Sequence, residues 1–357
     1  MNKPPAPFSC KYSQQIPELL SQLNCSIAIT TYQAGKVVFI SSNEGKSLTQ
    51  LPRNFERAMG IAEDHENDKL AIACKDEVIV FKNSSELAKF YPASPNKYDS
   101  LYVPRVTYYT GSVDIHDIQF GHDNKLYAVN TLFSCIVCID GEYNFTPVWK
   151  PPFIDNIAAE DRCHLNGMAM IDGKPKYVTA FNRGNEPKSW RENITKTGVV
   201  IDVDTNEIIS EGLAMPHSPM IINGDLYLLL SADGELVKID TETGEKETIV
   251  NLDGFVRGMS YYNDYLFIGL SKLRESSSTF GKLVPNIKNN KAGIMIIHLP
   301  TKSKVGGIIY DSSLEEIYDV HILKNKIRPN ILNTIKPIHK ESLSLPDKTY
   351  WKKGGIT

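Results

Sequence analysis

The sequence predicts an all-β, six-bladed β-propeller. Three observations carry that prediction: a phrase repeated six times, turn dipeptides inside the copies, and chain ends that supply complementary parts of one unit. The phrase is a small or polar residue, an apolar pair, a short turn and a β-rich run. A repeat of roughly 40–50 residues built from short strands and tight turns is the signature of propeller blades.

The elements follow in chain order. Gln14 to Leu23 has helical spacing at Ile16, Leu19, Leu20 and Leu23, which suits a short helix capping one face. Cys25–Thr31 and Lys36–Ser41 are strand-like but precede the first repeat. The first copy runs from Met59-Gly60-Ile61-Ala62 through Asn67-Asp68 to Lys69–Ala73. The second opens at His116-Asp117-Ile118, the third at Asn166-Gly167-Met168 and the fourth at Ser218-Pro219-Met220. The fifth opens at Arg257-Gly258-Met259 and the sixth at Tyr318-Asp319-Val320. Asp172-Gly173 and Asn223-Gly224 separate paired runs as hairpin turns do. With Gly60, Asp117, Gly167, Pro219, Gly258 and Asp319 as anchors, the spacings are 57, 50, 52, 39 and 61 residues.

The sixth copy lacks strand partners after it, whereas the first is preceded by unassigned strands. Closure of one blade from both termini solves both problems and removes open sheet edges. Residues 1–24 are therefore expected to form an extension with a short helix, 25–332 the propeller, and 333–357 a tail. Pro337, Pro346 and many polar residues leave that tail no continuous apolar face, so it should lie over the surface and add little to the core.

Composition narrows the function. A 41% hydrophobic and 23% charged chain with formal net charge −3 and pI near 6.3 lacks the basic balance of a nucleic-acid binder. No run approaches the roughly 20 apolar residues of a membrane span, and the polar start lacks a signal peptide's apolar core. A cytoplasmic location is expected, with the six cysteines reduced. Cys135 and Cys138 form a CxxC within an apolar run. On a strand, residues three apart face opposite ways and cannot chelate together.

Strand A of each blade begins where the inter-blade connections enter, so residues just before the anchors should ring one channel mouth. These are Arg57 and Met59, Asp114 and His116, His164 and Asn166, His217 and Ser218, Arg257, and Glu316 with Tyr318. His217 falls one position out of phase with the others. The B–C loops add Asn130, Asn182, Arg183, Trp190, Arg191, Lys272 and Arg274, and Glu160-Asp161-Arg162 precede the third anchor. Three histidines at one register of successive blades suit a divalent transition metal such as zinc, iron, copper or nickel, held by His116, His164 and His217. In the same reading His116, His164, Asp161 and Glu316 are the acid/base candidates. Arg57, Asn130, Asn166, Arg183, Trp190, Arg257, Lys272, Arg274 and Tyr318 are the candidates for substrate binding, with the cations gripping a carboxylate or phosphate. The competing reading pairs Arg57, Arg162 and Arg257 with Asp114, Asp161 and Glu316 in a structural belt. His65, His122, His298 and His321 are read as structural or surface residues. No GxSxG, HExxH or GxGxxG occurs.

Four blocks also carry a resemblance: Glu160–Gly167, Val113–Asp117, Met215–Pro219 and Gly254–Gly258. Taken in chain order they resemble an uncharacterised bacterial propeller family of conserved hypothetical proteins, some found beside tetratricopeptide repeats. The resemblance spans most of Arg53 to Val320 and implies a propeller without an activity. A weaker similarity, through Asn166-Gly167, is to calcium-dependent lactonases and strictosidine-synthase-like propellers, where such an Asn binds metal. Met59, His116 and Arg257 depart from that pattern. The expectation is an enzyme acting on an anionic small molecule or peptide at the mouth. The alternative is a recognition module holding a peptide, glycan or protein partner there.

Overall fold

The computed structural model describes residues 5–273, 280–281, 283, 288, 290–352 and 355–356. Six sheets of antiparallel strands, the first extended by the parallel strand Pro329–Ile331, ring a central channel as a six-bladed propeller. Blade I is Ile61–Asp64, Lys69–Ala73, Glu77–Asn83 and Ser100–Tyr109; blade II is Ile115–Phe120, Leu126–Asn130, Cys135–Ile139 and Thr146–Trp149. Blade III is Leu165–Ile171, Lys174–Ala180, Gly198–Asp202 and Ile208–Leu213. Blade IV is Pro216–Ile222, Asp225–Leu230, Glu235–Ile239 and Lys246–Asn251, and blade V is Phe255–Tyr262, Tyr265–Ser271, Gly293–His298 and Ser303–Tyr310. Blade VI takes its inner strand, Asp319–Lys324, from the C-terminal end and Cys25–Thr31, Lys36–Asn43 and Ser47–Asn54 from the N-terminal end. Thr30 pairs with Asp319 and Cys25 with Lys324, which is the closure expected from the repeat.

The inner strands are apolar on both faces because each blade is packed between two others. In blade IV, Leu226, Leu228 and Leu230 pack against blade III, while Tyr227 and Leu229 pack against blade V. The two-residue period of a strand produces this division. Each of the six blade interfaces has its own cluster of buried side chains. The CxxC obeys the same rule: Cys135 is buried and Cys138 partly exposed, and all six cysteines are unpaired.

Hydrogen bonds stitch the blades at a repeated position around the end of strand B. The hydroxyls of Thr30, Thr131, Ser231 and Ser271 donate to Met59, Leu165, Val256 and Ile317 of the next blade, at 2.5, 2.6, 2.5 and 3.0 Å. Cys74 and Phe181 hold the same position in blades I and III. A second set lies at the anchors. Asp117 accepts from the Met168 N–H at 2.9 Å, Ser218 from Gly258 at 3.0 Å and Asp319 from Ile61 at 3.1 Å. The odd-blade anchors Gly60, Gly167 and Gly258 make room. A Cβ on Gly258 would sit 2.6 Å from the Asp319 Cα, and one on Gly167 2.5 Å from the Pro219 ring.

These contacts move one anchor. The blade IV counterpart of Asp117 is Ser218, not Pro219, because Ser218 makes the equivalent inter-blade bond. His217 is then in phase with His116.

Outside the ring, the helix Ile16–Gln22 buries Ile16, Leu19 and Leu20 at the interface of blades V and VI. The tail departs from expectation. Ser342–Ser344, Thr349–Trp351 and Gly355–Ile356 form a small sheet. Trp351 is buried outside the channel, against Leu87, Leu101 and Val103, and donates to the Leu87 carbonyl at 3.0 Å. Among the described residues no helix is long and apolar enough to cross a membrane.

Candidate functional site

The residue one before each anchor is Met59, His116, Asn166, His217, Arg257 or Tyr318, in blade order. All but Met59 line a channel cavity of about 270 Å³. Three residues before the anchor, Arg57, Asp114, His164 and Met215 share left-handed backbone, with φ of 49°, 51°, 50° and 55°. That turn directs the preceding carbonyl inward. His116 and His217 donate from Nδ1 to Asp114 and Met215 at 3.1 Å, and Asn166 donates to His164 at 3.2 Å. A carbonyl only accepts, so Nδ1 carries the proton in both histidines and Nε2 is the bare nitrogen. Burial, with His164 and Arg257 nearby, pushes His116 well below the ordinary imidazole range. Burial and Arg257 do the same to His217. Both rings are neutral at pH 7.

Beside this ring a second cavity of about 120 Å³ is lined by His164, His217, Arg257, Lys272 and Glu316, with an apolar wall including Phe181, Phe255 and Phe280. The Asp161 carboxylate lies 3.0 Å from His164 Nδ1 and also accepts from Trp190 Nε1 at 2.9 Å. Trp190 is buried and stacks against His164, with ring centroids 4.2 Å apart. Asp161 thus fixes the ring and leaves Nε2 as an acceptor, the arrangement of an oriented general base. Arg162 turns away to Glu160 and Asp155, at 2.7 and 2.5 Å, and pins the segment that carries both residues. Phe181 occupies the inter-blade hydroxyl position of blade III and instead lies against His164 and His217, at 4.6 and 5.1 Å.

The cations divide. Arg257 lies over the Tyr318 ring at 3.5 Å and pairs with Glu316 at 3.7 Å. Lys272 pairs at 3.7 Å with Glu315. Among the described residues the buried Tyr318 hydroxyl has no hydrogen-bond partner, and Tyr318 lines the channel. Arg57 stacks on Tyr32 at 5.2 Å.

Other candidates fall elsewhere. Asn130 is fully buried, accepts from the Phe133 N–H and lines neither cavity. It ends strand B and shapes the following turn. Arg183 pairs with Glu211 at 3.2 Å on an exposed hollow. Trp190 supports His164 from below instead of offering a face to a ligand. Arg274 lies outside the described residues. Nor are His116, His164 and His217 a set that brings three ligand atoms within 4.8 Å of one another; among the described residues that geometry falls elsewhere.

Among the described residues, the group that brings three ligand atoms within 4.8 Å is Glu63, His65 and His321. It sits at the other end of the channel, where strands A finish. The sequence alone reads His65 and His321 as structural or surface residues. The signal in the sequence was Glu63-x-His65, one strand period apart, with His321 two residues after its anchor on the adjoining blade.

Two carboxyls between the mouths are also unusual. Burial raises Asp117 to about 7 and Asp319 to about 8, and Asp117 adds to the shift of Asp319.

Comparison with known proteins agrees on the fold. A nidogen/laminin complex aligns with TM-score 0.55 at 8% identity, over 84% of this chain and 99% of that one. A protein of unknown function from Bacteroides caccae aligns with TM-score 0.50 at 9% identity, over 84% and 98%. A streptogramin B lyase aligns with TM-score 0.41 at 14% identity, over 80% and 76%. At such identities the likeness speaks to fold alone. No curated protein matches the sequence. Residues 14–332 match a family described as a domain of unknown function, DUF4915, and the chain belongs to that family.

Proposed function

We propose that the mouth where the inner strands begin binds a small anionic molecule or peptide terminus and that His164 moves a proton on it. The observation that carries this reading is the meeting of two features on adjoining cavities that share His217 and Arg257. One is the buried, unpartnered Tyr318 hydroxyl beneath Arg257. The other is the His164–Asp161 pair on the adjoining cavity. A buried hydroxyl without a partner costs about 1–3 kcal/mol, which a ligand oxygen would recover. Arg257 offers planar N–H donors suited to carboxylate or phosphate. Phe181, Phe255 and Phe280 would take the apolar remainder.

In this reading His164 Nε2 accepts a proton from the bound molecule or from an adjacent water. Asp161 stabilises the imidazolium that results. Glu316 positions Arg257, and Lys272 adds positive charge at the rim.

The test is a thermal-shift screen of small carboxylates and phosphate monoesters, followed by mass spectrometry of each hit. Binding should be lost in Arg257→Gln, and chemical turnover in His164→Asn with binding retained. A hit recovered unchanged by the wild type would favour the recognition module instead. Binding indifferent to Arg257→Gln would overturn the assignment of the mouth.

A further inference from the structure

We propose that Glu63, His65 and His321 form a divalent transition-metal site at the second mouth of the channel. The geometry starts from blade closure. Glu63 is the next-to-last residue of the inner strand of blade I, His65 follows that strand in its turn, and His321 lies on the inner strand of blade VI, 258 residues from Glu63. Glu63 Oε2 is 3.2 Å from His65 Nδ1 and 3.2 Å from His321 Nε2. A tetrahedral ion with bonds of about 2.0–2.1 Å sets its ligand atoms roughly 3.3–3.4 Å apart. Two edges of the triangle are therefore already near the length such an ion requires, and all three ligand atoms lie within 4.8 Å.

The surroundings fit a ligand set. The Glu63 side chain is only 2% exposed, and a buried carboxylate needs compensating charge. Its other oxygen accepts from the Tyr102 hydroxyl at 3.2 Å, the kind of outer contact that orients a metal-binding carboxylate. Two imidazoles and one carboxylate suit zinc, iron, copper or nickel better than calcium or magnesium. Both histidines line the channel cavity, so the remaining coordination position would face it. Three protein ligands with one open position is the pattern of a reactive metal site, not a closed structural one. Lys324, on the same wall, has its ammonium over the Tyr262 ring at 5.5 Å.

The test uses the full chain without a histidine tag, stripped with chelator and dialysed. Cobalt(II) is titrated with visible absorption as the readout, and zinc by calorimetry. One ion should bind per chain. His65→Ala and His321→Ala should each weaken binding by more than the roughly 10–100-fold that loss of an outer partner costs. Tyr102→Phe should fall within that range, and His298→Ala, on the outer part of blade V, should bind as wild type. His65 is half-exposed and its variant should fold, which circular dichroism checks. No stoichiometric binding to folded protein would overturn the site. So would binding that survives both histidine substitutions, or that is lost instead in His116→Ala.

Discussion

Asp117 and Asp319 make stability fall as pH rises through neutrality. Each is an inner-strand residue whose carboxylate accepts a backbone N–H from the next blade, and burial raises them to about 7 and about 8. In the unfolded chain both ionise near the ordinary value of about 3.9. Between that value and the folded one, the native state holds a proton that the unfolded state has lost. The associated stability is complete below about pH 4 and disappears as pH passes through the folded values. From pH 7 to 8.5 the native state releases about half a proton from Asp117 and about two-thirds of one from Asp319. At about 1.4 kcal/mol per proton per pH unit, the loss integrates to roughly 1.5 kcal/mol, most of it from Asp319. His116 and His217 act oppositely, because their folded values are depressed. Their contribution is lost only as pH falls below about 6.5, so the chosen window nearly excludes them. Urea unfolding of wild type and Asp319→Asn at both pH values measures the effect. The amide keeps an acceptor for the Ile61 N–H but cannot ionise, so the variant should lose most of the pH dependence. Wild type and variant declining in parallel would refute this account of the channel carboxyls.

Three further outcomes follow from the packing. Deleting residues 1–43 removes two whole strands of blade VI and the capping helix, so the product should lack cooperative unfolding by circular dichroism; a native-like transition would contradict the closure. Thr131→Val removes the donor to the buried Leu165 carbonyl and should cost about 1–3 kcal/mol in urea unfolding, whereas Thr248→Val on an outer strand should cost far less. Trp351→Ala should hasten proteolytic trimming after residue 333 while leaving the urea midpoint of the ring nearly unchanged. A large fall in that midpoint would make the tail part of the cooperative unit.

The propeller was legible because its evidence is local and repeated. Each strand declares two faces through its own alternation, and Leu226 to Leu230 show both directed at neighbouring blades. Closure was legible because the sixth inner strand lacked partners that the N-terminal runs could supply. The register slipped only in blade IV. Pro219 looked like an anchor there, yet the side-chain acceptor is one residue earlier, at Ser218. Placing His217 correctly required that inter-blade bond, which no single blade encodes.

The site was less legible because its decisive contacts join distant segments. Trp190 looked like an exposed loop aromatic, but it lies under His164 and holds Asp161, 29 residues earlier. Glu63 and His321 meet only because the two chain ends complete one ring. That mouth lies at the strand ends, which the same repeat also identifies, and not at the strand beginnings where the anchors fall.

The alternation of blades explains how these residues came together. Odd blades place Gly60, Gly167 and Gly258 at the anchor, and even blades place Asp117, Ser218 and Asp319 against them. Crowding at the axis makes this division necessary, since two side chains cannot occupy the space that one glycine leaves. The residue before each even anchor is a ring, in His116, His217 or Tyr318, whereas the odd blades place Met59, Asn166 and Arg257 between them. Three flat polar rings thus alternate with the linear side chains, and all but Met59 line the channel cavity. The same pattern that closes the propeller therefore sets the neutral histidines, the Tyr318 hydroxyl and Arg257 around one space.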